Sequence, residues 1–133
     1  MRVLLADTHP SVRSALRLLL EEAHNIKIVG EVSNVKELLV EVPQLRPDLI
    51  LLEWDMAQRR AKRIMPSLNS NGKRPVVIAL SSHPEERKEA LSSGADMFVY
   101  EGDPPEILLS VVKDAVDWFQ KGGENEKLSN ASA

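Results

Sequence analysis

The amino-acid sequence predicts an α/β fold, a doubly wound five-stranded parallel sheet with five helices on its two faces. Three observations carry this prediction. Short apolar runs of strand length alternate with stretches in which apolar residues recur every three to four positions. Several of the short runs are continuous, as in parallel strands covered on both sides. Five such pairs fit into roughly 120 residues, and right-handed crossovers then place helices on both faces of one sheet.

The first strand is read at Arg2 to Ala6. Val12, Ala15, Leu16, Leu19, Leu20 and Ala23 follow as one helical stripe, and Pro10 suits its first turn. Ile26, Ile28, Gly30 and Val32 alternate with polar or variable neighbours, which marks an edge strand with one face less buried. Val35, Leu38, Leu39 and Val42 repeat the helical stripe; Asn34 and Glu37 form a capping box before it, and Pro43 is expected to end it. The third strand runs from Leu49 to Trp54. Ala57, Ala61, Ile64 and Met65 mark a third helix, stopped or kinked by Pro66. Val76 to Leu80 is the fourth strand, and a short helix over Pro84 to Leu91 ends at the turn Ser93-Gly94. Met97 to Tyr100 is the fifth strand. Ile107, Leu108, Val111, Val112, Ala115, Val116 and Phe119 make a long fifth helix, with Asp103, Pro104 and Glu106 as its start signal. These elements form one domain over 1–120; residues 121–133, KGGENEKLSNASA, read as a polar disordered tail or linker.

Composition narrows the function. The 133 residues suit a single domain, and 43% hydrophobic content supports one core. With 17 basic and 20 acidic residues the net charge is -3, which argues against nucleic-acid binding driven by global charge. The absence of cysteine excludes disulfides and cysteine-based zinc sites. No apolar run reaches the roughly 18 residues of a membrane span, and MRVLLAD lacks the pattern of a signal peptide, so a cytoplasmic protein is expected. No phosphate-binding glycine motif points to a nucleotide enzyme.

In doubly wound sheets the ligand crevice lies at the carboxyl ends of the strands. Those ends here are Asp7-Thr8-His9, Glu53-Trp54-Asp55, Ser81-Ser82-His83 and Glu101-Gly102-Asp103. Asp7, Glu53, Ser81 and Glu101 are thereby delivered to one edge. A glutamate that closes a buried strand is either capped by a partner or kept for chemistry. His9 and His83 each precede a proline; helix capping is the first reading, a histidine-carboxylate metal site the second. Arg59, Arg60, Lys62 and Arg63, with Lys73 and Arg74 nearby, read as a solvated basic face. Trp54 reads as a structural lid beside the crevice, and Trp118 as a half-buried residue on the flank of the last helix.

The stretches LLADTHPSVRSALRLLLEE, RPDLILLEWDM, VVIALSS and ALSSGADMFVYEGDPPEIL occur in order and on the expected elements. Together they resemble the receiver domain of bacterial response regulators over about residues 1 to 120. The resemblance implies a flavodoxin-like sheet of order 2-1-3-4-5. It also implies transfer of a phosphoryl group from a histidine kinase to an aspartate, with Mg2+ beside it. Matched residue by residue, the apparatus is incomplete. Asp7 stands at the first of the acidic pair, but Thr8 replaces the second acid. Glu53 occupies the acceptor position, Ser81 keeps the switch hydroxyl, Phe98 matches the aromatic switch, and Glu101 replaces the lysine. Ala57-Gln58-Arg59-Arg60 replaces the usual proline-glycine turn. Asp7 and Asp55 are what remains to contact a metal, so weak Mg2+ binding and no other cofactor are expected.

A glutamate carries its carboxylate about 1 Å farther than an aspartate, and such misplacement costs about 100-fold where positioning does the work. Losing the lysine removes the cation that clamps a phosphoryl oxygen. The resemblance, with these departures, implies a degenerate or pseudo-receiver in two-component phosphorelay signal transduction. It would be a phosphorylation-independent protein-interaction module and not an enzyme. The implied partner is a histidine kinase or downstream effector, with neither membrane nor direct nucleic-acid contact. A homodimer would use the fourth helix, fifth strand and fifth helix. Two alternatives stand beside this: a working phosphoacceptor, or the regulatory domain of a longer DNA-binding regulator.

Overall fold

Two apolar strands sit at the centre of the sheet because their side chains must be covered on both faces. They are β1 (Arg2–Ala6) and β3 (Leu49–Glu53), and every residue of β3 is buried. The computed structural model describes residues 1–70, 72–123 and 128. Around the central pair lie β2 (Lys27–Val32), β4 (Val76–Ser81) and β5 (Met97–Tyr100). Among the described residues they form one five-stranded sheet of order β2-β1-β3-β4-β5, with every pairing parallel. The edge position of β2 matches its alternating sequence and its partial exposure.

Helices cover both faces. α1 (Pro10–Leu20) and α6 (Pro105–Gln120) lie over Val3, Leu5, Leu49, Leu51, Ile78 and Val99. The opposite face, built on Leu4, Ala6, Ile50, Leu52, Val77 and Ala79, is covered by α2 (Val35–Leu45), α3 (Trp54–Ala57), α4 (Ala61–Ile64) and α5 (Arg87–Ser92). Alternate residues of each central strand thus enter different cores, as the period of two requires. No helix among the described residues is long and apolar enough to cross a membrane.

Several element boundaries differ from expectation. Pro43 lies inside α2, which runs on to Leu45. The helix stops instead at Arg46, whose left-handed φ of 50° turns the chain while its N–H still reaches the Val42 carbonyl. Ser70 Oγ also donates to that carbonyl, at 2.9 Å. The capping box is shifted: Glu37 N–H donates to Asn34 Oδ1, but the Glu37 carboxylate accepts from Ser33 N–H. The third helix is broken into α3, a 3-10 turn at Gln58–Arg60, α4 and a second 3-10 turn at Met65–Ser67. α5 is preceded by a 3-10 turn, Pro84–Glu86, and followed by Gly94 with φ 119°. Asp103 does not cap α6; Pro104 holds the cap position with no side-chain bond. Trp54 is no lid, because its ring is wholly buried in the core under α3.

Most of the tail expected from residue 121 lies outside the described residues. Leu128 is described, and it is buried in the core shared by α1 and α6.

Candidate functional site

The strand register brings the chemistry together. Ala6 pairs with Leu52, Glu53 with Leu80, and Ser81 with Tyr100, so β1, β3, β4 and β5 end close to level with one another. Asp7 N–H continues the ladder to Val32 O, and Glu101 N–H to Ser81 O.

Asp7 is 1% exposed at the end of β1. Its Oδ1 accepts from the backbone N–H of His9 at 2.8 Å, a local turn that aspartate favours. The His9 ring places Nδ1 3.1 Å from the same oxygen. Among the described residues Asp7 Oδ2 is buried and has no partner. Burial raises the Asp7 pKa above its ordinary value; the His9 N–H bond opposes this, and the Glu53 charge adds to it.

Glu53 closes β3 and is 7% exposed. It is capped from the loop after β1: Thr8 donates both its N–H and its hydroxyl to Oε1, at 2.7 and 2.8 Å. The other oxygen, Oε2, lies 3.8 Å from His9 Nδ1. Thr8 therefore serves as a double hydrogen-bond donor to Glu53.

Glu101 is exposed by surface area. Even so, neighbouring protein partly strips its carboxyl of water, and Asp7, Glu53 and Asp55 repel its charge, which raises its pKa. Exposure limits how much of that effect survives solvent screening. A cavity of about 60 Å³ lies between these groups, lined by His9, Glu53, Asp55, Leu80, Ser81, Ser82 and Glu101. A wider groove of about 670 Å³ between α1 and the start of α6 is mostly apolar and lacks this convergence of polar groups.

Ser81 is 4% exposed, and its hydroxyl is turned to Glu86 Oε1 at 2.5 Å while accepting from His83 N–H. Gln58 holds the other Glu86 oxygen at 2.9 Å. The pairing of Glu86 with Gln58 is not readable from the sequence, because their meeting depends on the 3-10 turn before α5 and the break after α3. Phe98 is 3% exposed and belongs to the core under α2 to α5. Neither His9 nor His83 caps its helix with its side chain. Lys73 and Arg74 are engaged with Asp48 and Asp96, so they do not extend the basic face at Arg59 and Arg60.

Magnesium, which the resemblance implies, does not fit these residues. It needs hard oxygen ligands in near-octahedral array. Thr8 supplies no carboxylate, and both its donors are used on Glu53 Oε1. The Asp55 side chain is exposed and stands outside the close group of Asp7, His9 and Glu53, which leaves its backbone carbonyl as the oxygen expected to face a metal.

Comparison with known proteins agrees with this architecture. Residues 3–128 match the response regulator receiver domain. The nitrate/nitrite response regulator protein NarL of Escherichia coli (strain K12) is 35% identical over 115 residues, covering 85% of this chain and 53% of that protein. The chain thus spans about half the length of the curated relatives it matches. The signal receiver domain of a NarL response regulator from Mycobacterium tuberculosis superposes with a TM-score of 0.72 at 25% identity, over 86% of this chain and 95% of that one. The isolated receiver domain of RcsB from Salmonella enterica serovar Typhimurium shares the fold, with a TM-score of 0.77 at 23% identity over 99% of this chain and 94% of that one. The chain belongs to the response regulator receiver domain family.

Proposed function

We propose that this chain is the regulatory receiver domain of a longer DNA-binding response regulator, addressed by a histidine kinase. The observation that carries the reading is the match to NarL over 85% of this chain but only 53% of that protein. A neighbour of the same fold, RcsB, has been captured on a promoter. These comparisons support the regulatory-domain reading better than that of a stand-alone interaction module. The reading frame beyond Ala133 tests it: a helix-turn-helix domain and promoter binding by the full-length product are expected. An immediate stop would refute it.

A second reading concerns how the domain is set. The Thr8 bonds to Glu53, and the acidic side chain of Glu101 at the lysine position, favour a site held without phosphoryl transfer. Thr8 already gives Glu53 the donors that a phosphoryl oxygen would otherwise recruit. Incubation with acetyl phosphate and Mg2+, followed by intact mass, is expected to show no added phosphoryl group. A gain that vanishes in Glu53→Gln would establish a working phosphoacceptor instead.

A further inference from the structure

Charge is segregated along this chain. Residues 56–84 hold six of the 17 basic residues and none of the 20 acidic ones. Two of the six, Lys73 and Arg74, are neutralised by Asp48 and Asp96 from outside that stretch. The side chains of the other four, Arg59, Arg60, Lys62 and Arg63, have no ion pair or hydrogen bond among the described residues. We infer that these four side chains form a docking surface for the phosphate backbone of duplex DNA, engaged when the whole regulator is on its promoter. The inference rests on the reading that a DNA-binding domain follows this chain.

Local structure puts the four cations on one surface. Ala57, Ala61, Ile64 and Met65 turn inward and are buried, which leaves positions 59, 60, 62 and 63 outward and exposed. The 3-10 turn at Gln58–Arg60 runs directly into α4. At a rise of about 1.5–2.0 Å per residue the step from Arg59 to Arg63 covers roughly 6–8 Å. That is the advance of about two phosphates along one strand of the duplex, at about 3.4 Å each. Elsewhere such groups are closed off: Arg13 and Arg17 share Glu31. Glu86 comes near through Gln58, but its two oxygens already accept from Ser81 and Gln58.

The composition of the face favours nucleic acid over an acidic protein. Three of the four cations are arginine, whose planar fork pairs two phosphate oxygens at once. Carboxylates would also satisfy that fork, but a protein interface needs an apolar anchor at its centre. Among the described residues the exposed large hydrophobics are Leu18, Leu39, Val40 and Ile107, on α1, α2 and α6 and none on this segment. A polar, cationic face without an anchor is the composition of a DNA contact. Contacts to phosphate position a protein without reading sequence. The net charge of -3 excludes binding driven by the whole chain, and it selects this face: the acidic remainder is repelled by the duplex while the four cations are drawn to it.

Fluorescence anisotropy of a short labelled duplex with the 133-residue chain, over a series of salt concentrations, tests the surface. Each phosphate neutralised adds about -0.9 to the slope of log K against log salt, so four contacts give a slope of about -3 to -4. A Kd of about 10⁻⁵ M is expected at low salt, equal for duplexes of unrelated sequence. The double variant Arg60→Gln/Arg63→Gln should weaken binding by about 10-fold or more and make the slope shallower by about 2. Lys113→Gln, the same change of charge on the exposed side of α6, should leave both unchanged. All three side chains are exposed, and circular dichroism checks that the variants fold. Absence of binding at low salt, an unchanged slope in the double variant, or tighter binding to polyglutamate than to DNA would each overturn the assignment, the last by giving the face to an acidic protein. The reading frame is a separate test. A helix-turn-helix domain beyond Ala133 with no duplex binding by this chain refutes the inference alone, and binding with a stop there refutes the regulatory-domain reading alone.

Discussion

Replacing Glu101 by lysine should stabilise the domain at neutral pH. In the folded chain this side chain faces three carboxylates, those of Asp7, Glu53 and Asp55. Lysine would remove a repulsion and add an attraction. A buried position would make the effect large, but Glu101 is exposed, and exposed pairs are worth only about 0.2–1 kcal/mol. Acting on a cluster, the change is worth about 0.5–1 kcal/mol after that discount. For a denaturant slope of about 1.5 kcal/mol/M, the urea midpoint rises by roughly 0.3–0.7 M. The pH dependence has a definite sign. Asp7 and Glu101 have raised pKa values in the fold, against ordinary values of 3.8 and 4.5. Raised carboxyls contribute stability below those ordinary values and lose it as pH climbs through the folded ones. The wild type therefore carries this penalty at neutral pH, and the gain in Glu101→Lys should shrink below about pH 4. Urea unfolding of both proteins at neutral and acidic pH measures it. Equal midpoints at neutral pH would refute the coupling; a gain that persists unchanged in acid would place its origin in the turn and not in the charges.

Two further substitutions probe the frame of the site. Thr8→Val removes the hydroxyl donor to Glu53 Oε1 and keeps the N–H, so it should lower stability by about 1 kcal/mol and the melting temperature by about 3–5 °C in a thermal scan. Arg46→Gly relieves the left-handed residue that ends α2 and should raise stability by about 0.5 kcal/mol in urea unfolding; a loss would show that the Arg46 side chain has a packing role.

What could be read from the sequence was what depends on burial. β3 and β4 were legible because each is a continuous apolar run in the centre of a parallel sheet. The stripe Ala57, Ala61, Ile64 and Met65 is likewise buried as expected. The backbone beneath it is nonetheless broken at Gln58, because a buried face records which side chains turn inward and not whether the turns between them are α or 3-10. Pro43 was misleading for a related reason: a proline removes one N–H but need not stop a helix whose end is set two residues later. The site was legible as a set of strand ends and illegible as a set of bonds. Thr8 and Glu53 are 45 positions apart, and only the register of β1 on β3 brings them within 2.8 Å.

The same bonds decide where a change at the site can be transmitted. A lysine at position 101 would tie the acidic cluster to β5, whereas Glu101 repels the cluster. The attractive contacts run to α1. Thr8 and His9 hold Glu53 and Asp7, Arg13 Nη1 donates to the Asp7 carbonyl at 2.6 Å, and Arg13 and Arg17 both bind Glu31 on the edge strand. On the α5 side, Ser81 is turned to Glu86, whose other oxygen accepts from Gln58. A partner that pulls on Glu53 therefore moves the β1–α1 loop first. Ser81 can turn toward Glu53 only by leaving Glu86. That hydroxyl-carboxylate bond is charge-assisted and partly buried, and such bonds are worth about 1.5–3 kcal/mol. Turning Ser81 into the site would forfeit that bond, whereas the contacts from Glu53 to the β1–α1 loop are already made.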